Sequence, residues 1–407
     1  MKRPARWAGM AGLMLFVTSG NAAEEGTFRP FVSYTRYYDS NLFRLDRGES
    51  TVILDGDDPE IVTRDEASDQ YGSLAAGLTA DWRPGRQRIL ASASHRWVRF
   101  ENFTSLDYEG SDYQLKWDWR LGNRLSGQAG ATQTVSQTSF ADWYTLEAFN
   151  NELTHETRFV SADWQFHPRW SVGLGATETT AENSRAVRAP LDYENDSLAV
   201  TLGYTTPKGS KLRLQLREID GEYPNRPLGY VDREYTQTEV NVLGDWTVGG
   251  KLIAHGRVGY VRRENETVSQ RDFSGIAGRV SGDYALTGKV LVSGAVYREL
   301  ANSDDFNASY KVTTGSRLGV SWGPTAKVIV RASAVYENRN FRGETGAPPT
   351  GLPRRDEDTV SGAVSVGYAP VRPLSMEVGL QSGGRDSNLT FSDYSFRSVF
   401  ASVRADF

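Results

Sequence analysis

Beyond Ala23 the apolar residues of this chain recur at every second position rather than at the 3.6-residue period of a helix. That alternation constrains the fold more than any other feature, because it describes strands with one apolar and one polar face. Tyr113, Leu115, Trp117 and Trp119 alternate with Gln114, Lys116, Asp118 and Arg120. The same pattern sets Leu212, Leu214 and Leu216 against Lys211, Arg213, Gln215 and Arg217. It also sets Leu374, Met376, Val378 and Leu380 against Ser375, Glu377, Gly379 and Gln381. The strands are long, often 10 to 15 residues.

Eight tight turns punctuate them, at Arg83–Arg86, Leu121–Arg124, His167–Arg169, Pro207–Ser210, Gly249–Lys251, Thr287–Lys289, Gly323–Thr325 and Ala369–Pro373. Gly and Pro dominate these turns because such corners need positive φ or a preset φ. An aromatic residue stands shortly before each: Trp82, Trp119, Phe166, Tyr204, Trp246, Tyr284, Trp322 and Tyr368. Longer polar segments separate the hairpins, among them Arg47–Asp69, Ser139–Glu152, Asn183–Asp192, Gly221–Asp232 and Arg342–Asp358. Short turns alternating with long loops, with an aromatic girdle at the turn end, describe an all-β transmembrane antiparallel up-and-down β-barrel. Eight hairpins plus one strand at each end give about 18 strands. A β-propeller repeats at a similar interval but needs four short strands per repeat, where this chain offers two long ones.

Composition agrees once alternation is recognised. A mean hydropathy of −0.50 excludes a bundle of membrane helices, yet it suits strands whose apolar residues are dispersed one in two. The absence of Cys excludes disulfide scaffolds, thiolate metal sites, a cysteine nucleophile and a lipidated N-terminal cysteine. Lys2, Arg3 and Arg6, followed by the apolar run Trp7–Val17 and the small residues Ser19–Ala23, have the layout of a secretory signal peptide over 1–23. One barrel domain over 24–407 is then expected. Removing the three leader cations leaves 43 bases against 51 acids, a balance of −8. No basic footprint for nucleic acid is present.

The last strand alternates Val399, Ala401, Val403, Ala405 and Phe407 with polar neighbours. Val403, Ala405 and the terminal Phe407 resemble the C-terminal signal read by the outer-membrane insertion machinery. The opening strand, Arg29 to Leu45, contains Tyr37-Tyr38-Asp39-Ser40-Asn41-Leu42-Phe43. It resembles the start of EpsL-type outer-membrane proteins, a β-barrel porin family encoded beside exopolysaccharide synthesis genes. The resemblance in words is confined to this segment, and the rest matches in architecture. It implies a Gram-negative outer-membrane location and export of an exopolysaccharide together with periplasmic and inner-membrane components. Lipid and lipopolysaccharide would then be the barrel's surroundings. A passive diffusion porin and a surface receptor or adhesin are the rivals.

Two sets of polar residues are candidates for lumen chemistry. Asp81, Asp118, Asp163, Asp245 and Asp283 precede girdle aromatics, as Asp406 precedes Phe407. They form either a carboxylate ring at the periplasmic mouth or partners for neighbouring Arg and Lys. Farther in, Lys116, Arg213, Arg217, Arg257, Arg279, Arg317 and Arg331 fall on the polar faces. A lumen lined by one sign of charge would concentrate anions, whereas an ion-paired lumen would merely stiffen the wall. The Arg47–Asp69 loop is rich in acids, but Asp55-Gly56-Asp57-Asp58-Pro59-Glu60 lacks the Gly and oxygen ligand that a calcium loop places at its sixth and fifth positions. A solvated outer loop is expected there. Neither a zincin pair at His155-Glu156 nor a phosphate loop at Gly250-Lys251 or Gly288-Lys289 is completed, and no metal, cofactor or catalytic residue is expected. An inward Ser/His site at His255, with Ser residues across the lumen, is the remaining enzymatic alternative.

Overall fold

The computed structural model describes residues 27–53, 59–142, 147–227, 233–266, 269–302, 308, 310–343, 354–390 and 392–407. The leader 1–23 and the loop acids Asp55, Asp57 and Asp58 lie outside the described residues.

The strands are β1 (Phe28–Asp39), β2 (Ser50–Ile53), β3 (Glu60–Thr63), β4 (Asp69–Trp82), β5 (Arg88–Phe100), β6 (Tyr108–Leu121) and β7 (Leu125–Gln137). They continue as β8 (Glu147–Ala148), β9 (Glu152–His167), β10 (Trp170–Asn183), β11 (Tyr193–Thr205), β12 (Lys211–Glu222), β13 (Glu234–Val248) and β14 (Leu252–Asn265). The chain ends with β15 (Phe273–Ala285), β16 (Val290–Asn302), β17 (Tyr310–Trp322), β18 (Val328–Arg342), β19 (Asp356–Val371), β20 (Leu374–Ser387) and β21 (Tyr394–Asp406). Eighteen of these form one antiparallel sheet in which each strand pairs with its neighbours in sequence. β1 pairs with both β4 and β21, so the sheet closes on itself and leaves no edge. The Phe407 N–H donates to the Pro30 carbonyl at 2.9 Å beyond the last ladder pair.

All eight short connections fall at the Gly/Pro turns, and positive φ is found where expected, at Gly85, Gly122, Gly209, Gly249 and Gly250. The alternating faces separate cleanly. Leu115, Leu174, Leu198, Leu216, Val258, Ile276, Leu318 and Val378 point outward and are exposed, Leu198 to 70%. A continuous apolar ring of this kind has no place on a water-soluble monomer; it is the lipid-facing belt of a membrane-spanning barrel. At the turn end the belt finishes in Trp82, Trp164, Phe166, Trp246, Tyr284, Trp322 and Tyr368, all outward and exposed. At the other end the outward faces become charged, with Arg158 paired to Glu156 and Glu178 at 3.0 and 3.3 Å and Arg262 to Glu264 at 2.7 Å. The strands therefore run past the belt into water. That explains lengths of 12 to 16 residues, where crossing the hydrocarbon alone takes about 9–11.

Candidate functional site: the lumen and its outer cap

The inward faces differ around the circumference. On β4–β11 they are mostly small or hydroxylated, with Ser73, Ser92, Ser94, Thr132, Ser161 and Thr201 on the face opposite the apolar belt. On β12–β20 they carry most of the charge. Lys116, Arg213, Arg217, Arg257, Arg279, Arg317 and Arg331 are all placed inward. Six of them have a carboxylate beside them. Lys116 lies 3.1 Å from Asp118, Arg213 lies 2.6 Å from Asp245, and Arg331 lies 3.2 Å from Glu377. Arg217 and Arg257 approach the buried Glu239 from either side at 4.0 and 3.6 Å. Arg279 makes two 2.9 Å bonds to Glu299.

Arg257 and Arg279 are direct cross-strand partners, a like-charge placement that repels. Each is drawn away from the other by an acid on its far side, Glu239 on β13 and Glu299 on β16. The excess of positive charge expected in mid-lumen is thus compensated by Glu239, Glu299 and Glu377. These acids occupy the inward parity of their own strands, and inward parity was the signal available for them. Arg317 is the exception: it is exposed to the lumen with no carboxylate within 4.0 Å among the described residues.

The carboxylates near the turn end are also mostly engaged. Asp81 receives Arg83 and Arg88, each at 2.7 Å. Asp245 receives His255 at 2.7 Å as well as Arg213. Asp283 accepts the Ser293 hydroxyl at 2.6 Å, and Asp406 pairs with Arg404 at 2.7 Å. Asp163 faces Gly173 across the ladder, with no ion pair among the described residues. Ser281 is the cross-strand partner of His255, but no hydrogen bond joins them among the described residues. Among the described residues no group of three or more His, Asp or Glu side chains is arranged to hold a metal.

The opening segment builds the other end of the lumen. Tyr37 points inward and stacks on Tyr71, with ring centroids 4.8 Å apart and planes inclined by 15°; Tyr38 points outward and is exposed. Asp39 is buried, takes both Arg44 nitrogens at 2.9 and 2.8 Å, and accepts the Asn41 N–H at 2.8 Å. Asn41, 0% exposed, donates to the carbonyls of Leu45 and Ser395 and accepts the Leu45 N–H, all at 3.0 Å. Arg44 sits at φ +58°, so the chain reverses there and drives Phe43 into the mouth. Phe43 packs edge-on against Phe103, centroids 4.8 Å apart.

This corner nucleates a small apolar core of Phe43, Leu45, Ile53, Val62, Phe100, Phe103, Leu106 and Ala148. Above it β2 pairs antiparallel with β3 and parallel with β8, joining the first outer loop to the third. The expectation of a solvated acidic loop over 47–69 agrees with Glu60, Asp65 and Glu66, which are exposed, and is corrected for Ile53, Val62 and Asp69. Ile53 and Val62 are buried, and Asp69 is held under the surface by the N–H groups of Gln70, Asn102 and Phe103. The segment 138–142 also reaches across the mouth: Arg385, inward on β20, donates to the Ala141 carbonyl. The cap thus reaches from the end of β7 to β20.

At the opposite end Val403 and Ala405 lie on the lipid-facing side of β21, and Phe407 projects outward, 72% exposed.

No family model matches the chain, and no curated protein matches it. Among solved structures it is similar to the outer membrane protein OpdK of Pseudomonas aeruginosa at 12% identity and a TM-score of 0.45, covering 93% of this chain and 99% of that one. It is similar to OccK2 (OpdF) of the same organism at 8% identity and a TM-score of 0.47, covering 93% and 98%. A BenF-like porin from Pseudomonas fluorescens Pf-5 shares 9% identity at a TM-score of 0.45, covering 93% and 99%. Each of these alignments covers 93% of this chain and shares little of its sequence.

Proposed function

We propose that the chain is an outer-membrane porin through which small water-soluble solutes diffuse. The carrying observation is a closed barrel with an apolar belt outside and a hydrophilic, charge-compensated lumen inside. Barrels of 16 to 18 strands leave room for an aqueous channel. With most guanidinium groups paired, the lumen has no strong single-sign field to gather ions, and Arg317, exposed to it with no carboxylate within 4.0 Å among the described residues, biases it weakly toward anions. In that setting the belt meets lipid, and the charged outer strand ends meet lipopolysaccharide head groups. The C-terminal Val403-Arg404-Ala405-Asp406-Phe407 strand end serves as the insertion signal for the assembly machinery. Liposome swelling tests the reading: reconstituted protein should admit small neutral sugars quickly and larger oligosaccharides slowly. Equal exclusion of all sugars would contradict it.

Export of an exopolysaccharide, with periplasmic and inner-membrane components, is the second reading and rests on the resemblance of the Tyr37–Phe43 segment. In the fold that segment anchors the outer cap, a task any gated or narrowed pore requires. Deleting the protein and tracing the polymer separates the two: intact surface polymer leaves the diffusion porin, and periplasmic accumulation favours export.

A further inference from the structure

The inner wall carries a layered arrangement that alternation does not reveal. On β15–β18, Arg279, Tyr297, Gly315 and Glu337 form one row of direct cross-strand partners. The Tyr297 ring lies down across Gly315, where a Cβ would come within 2.7 Å of the ring and equally close to the Tyr336 carbonyl oxygen. Its hydroxyl consequently reaches Glu337, two strands away, and donates a 2.7 Å hydrogen bond. The Arg279 guanidinium covers the ring 4.1 Å from its centroid, while the edge of that guanidinium binds Glu299 at 2.9 Å.

The same layers recur in mirror order on β14–β11. Arg263 covers Tyr235 at 3.9 Å. Tyr235 crosses Gly221, where a Cβ would come within 2.2 Å of the ring, and its hydroxyl donates to Asn195 at 2.6 Å. Gly221 is the direct partner of both Tyr235 and Asn195. The two straps share the order Arg, Tyr, Gly on either side of the β14–β15 junction, with the difference that Arg263 is the direct partner of Gln237 and reaches Tyr235 diagonally.

We propose that these Arg–Tyr–Gly straps are the specificity determinants of the pore: they hold lumenal guanidinium groups flat against the wall and so set its free cross-section and charge. This rests on the diffusion-pore reading above. The physical reason lies in strand geometry. Side chains on a strand stand roughly perpendicular to the sheet, so an inward aromatic ring would ordinarily project into the channel. A glycine directly opposite gives the ring a bed, the hydroxyl bond at the far end pins it there, and the stacked guanidinium is held by the ring's negative face. Any side chain at the glycine lifts the ring and its arginine into the path of the solute.

Single-channel recording on the refolded full chain tests this with Gly315→Ala, Tyr297→Ala and the double variant, each checked for heat-modifiable electrophoretic mobility. Gly315→Ala should lower conductance and shift the reversal potential toward anion selectivity, as Arg279 is lifted into the lumen. The double variant should restore conductance to the wild-type level or above, because the displaced ring is gone. Tyr297→Ala alone should raise conductance, and it carries the test if Gly315→Ala does not fold. Wild-type channels with Gly315→Ala or Tyr297→Ala unchanged in both readouts overturn the straps and leave the pore standing. A wild-type barrel that forms no channel overturns both.

Discussion

Asn41 has no contact with solvent, and its side-chain amide serves three backbone groups at once, on Leu45 and on Ser395. A residue in that position does more than pack, since the two Leu45 groups it serves are buried and have no water to turn to. Asn41→Leu should therefore weaken the outer corner by about 1–3 kcal/mol, the cost of leaving buried polar groups unmade. The readout is protease cleavage within 40–68, which should quicken while the barrel stays resistant; an unchanged cleavage rate would contradict the anchoring role. The motif segment was visible in the sequence, but its task was not. Nothing in the order Tyr-Asp-Ser-Asn-Leu-Phe says that the amide turns back to the last hairpin, some 350 residues away in the chain. The same limit applies to Glu239: its inward parity could be read, whereas the convergence of Arg217 and Arg257 on it depends on how three strands are registered.

At the scale of strands and loops, alternation was enough to give the architecture. The eight Gly/Pro turns and the two end strands account for all 18 wall strands, because a period of two leaves each strand only one way to face lipid. Substitutions should respect that division. Leu216→Arg, on the lipid face, is expected to cost about 2–4 kcal/mol, while Thr201→Arg, on the lumenal face, should cost far less. Denaturant titration of the barrels in lipid vesicles compares them directly; equal losses would mean that the faces are misassigned. The outer cap, by contrast, was not legible. β2, β3 and β8 are too short to show a period, and the β2–β8 pairing joins residues 95 apart in the chain, Val52 with Glu147 and Ile53 with Ala148. Because the segment 138–142 reaches β20 through Arg385, replacing residues 139–150 by a short turn should raise conductance. Arg385→Ala should raise it by a smaller amount. Conductance unmoved by either change would show that the cap lies clear of the solute's path.

The whole molecule is a closed wall whose outside repels water and whose inside admits it, with no edge left to aggregate. Its charges are abundant but locally balanced, in mid-lumen by Glu239, Glu299 and Glu377 and near the turn end by Arg83, Arg88, Arg213 and Arg404. Local balance, with the straps holding Arg279 and Arg263 against the wall, leaves the residual ion preference to groups outside both, chiefly Arg317, rather than to the inventory of lumenal arginines. Arg317→Glu should accordingly move ion preference from slightly anionic to slightly cationic, without loss of folding. The most direct test of the central claim is the reversal potential of single wild-type channels across a potassium chloride gradient. Open, conducting barrels with a reversal potential near zero, displaced a little to the anion side, are the expected result. Reconstituted barrels that do not conduct, or that hold close to the Nernst potential of either ion, would contradict it.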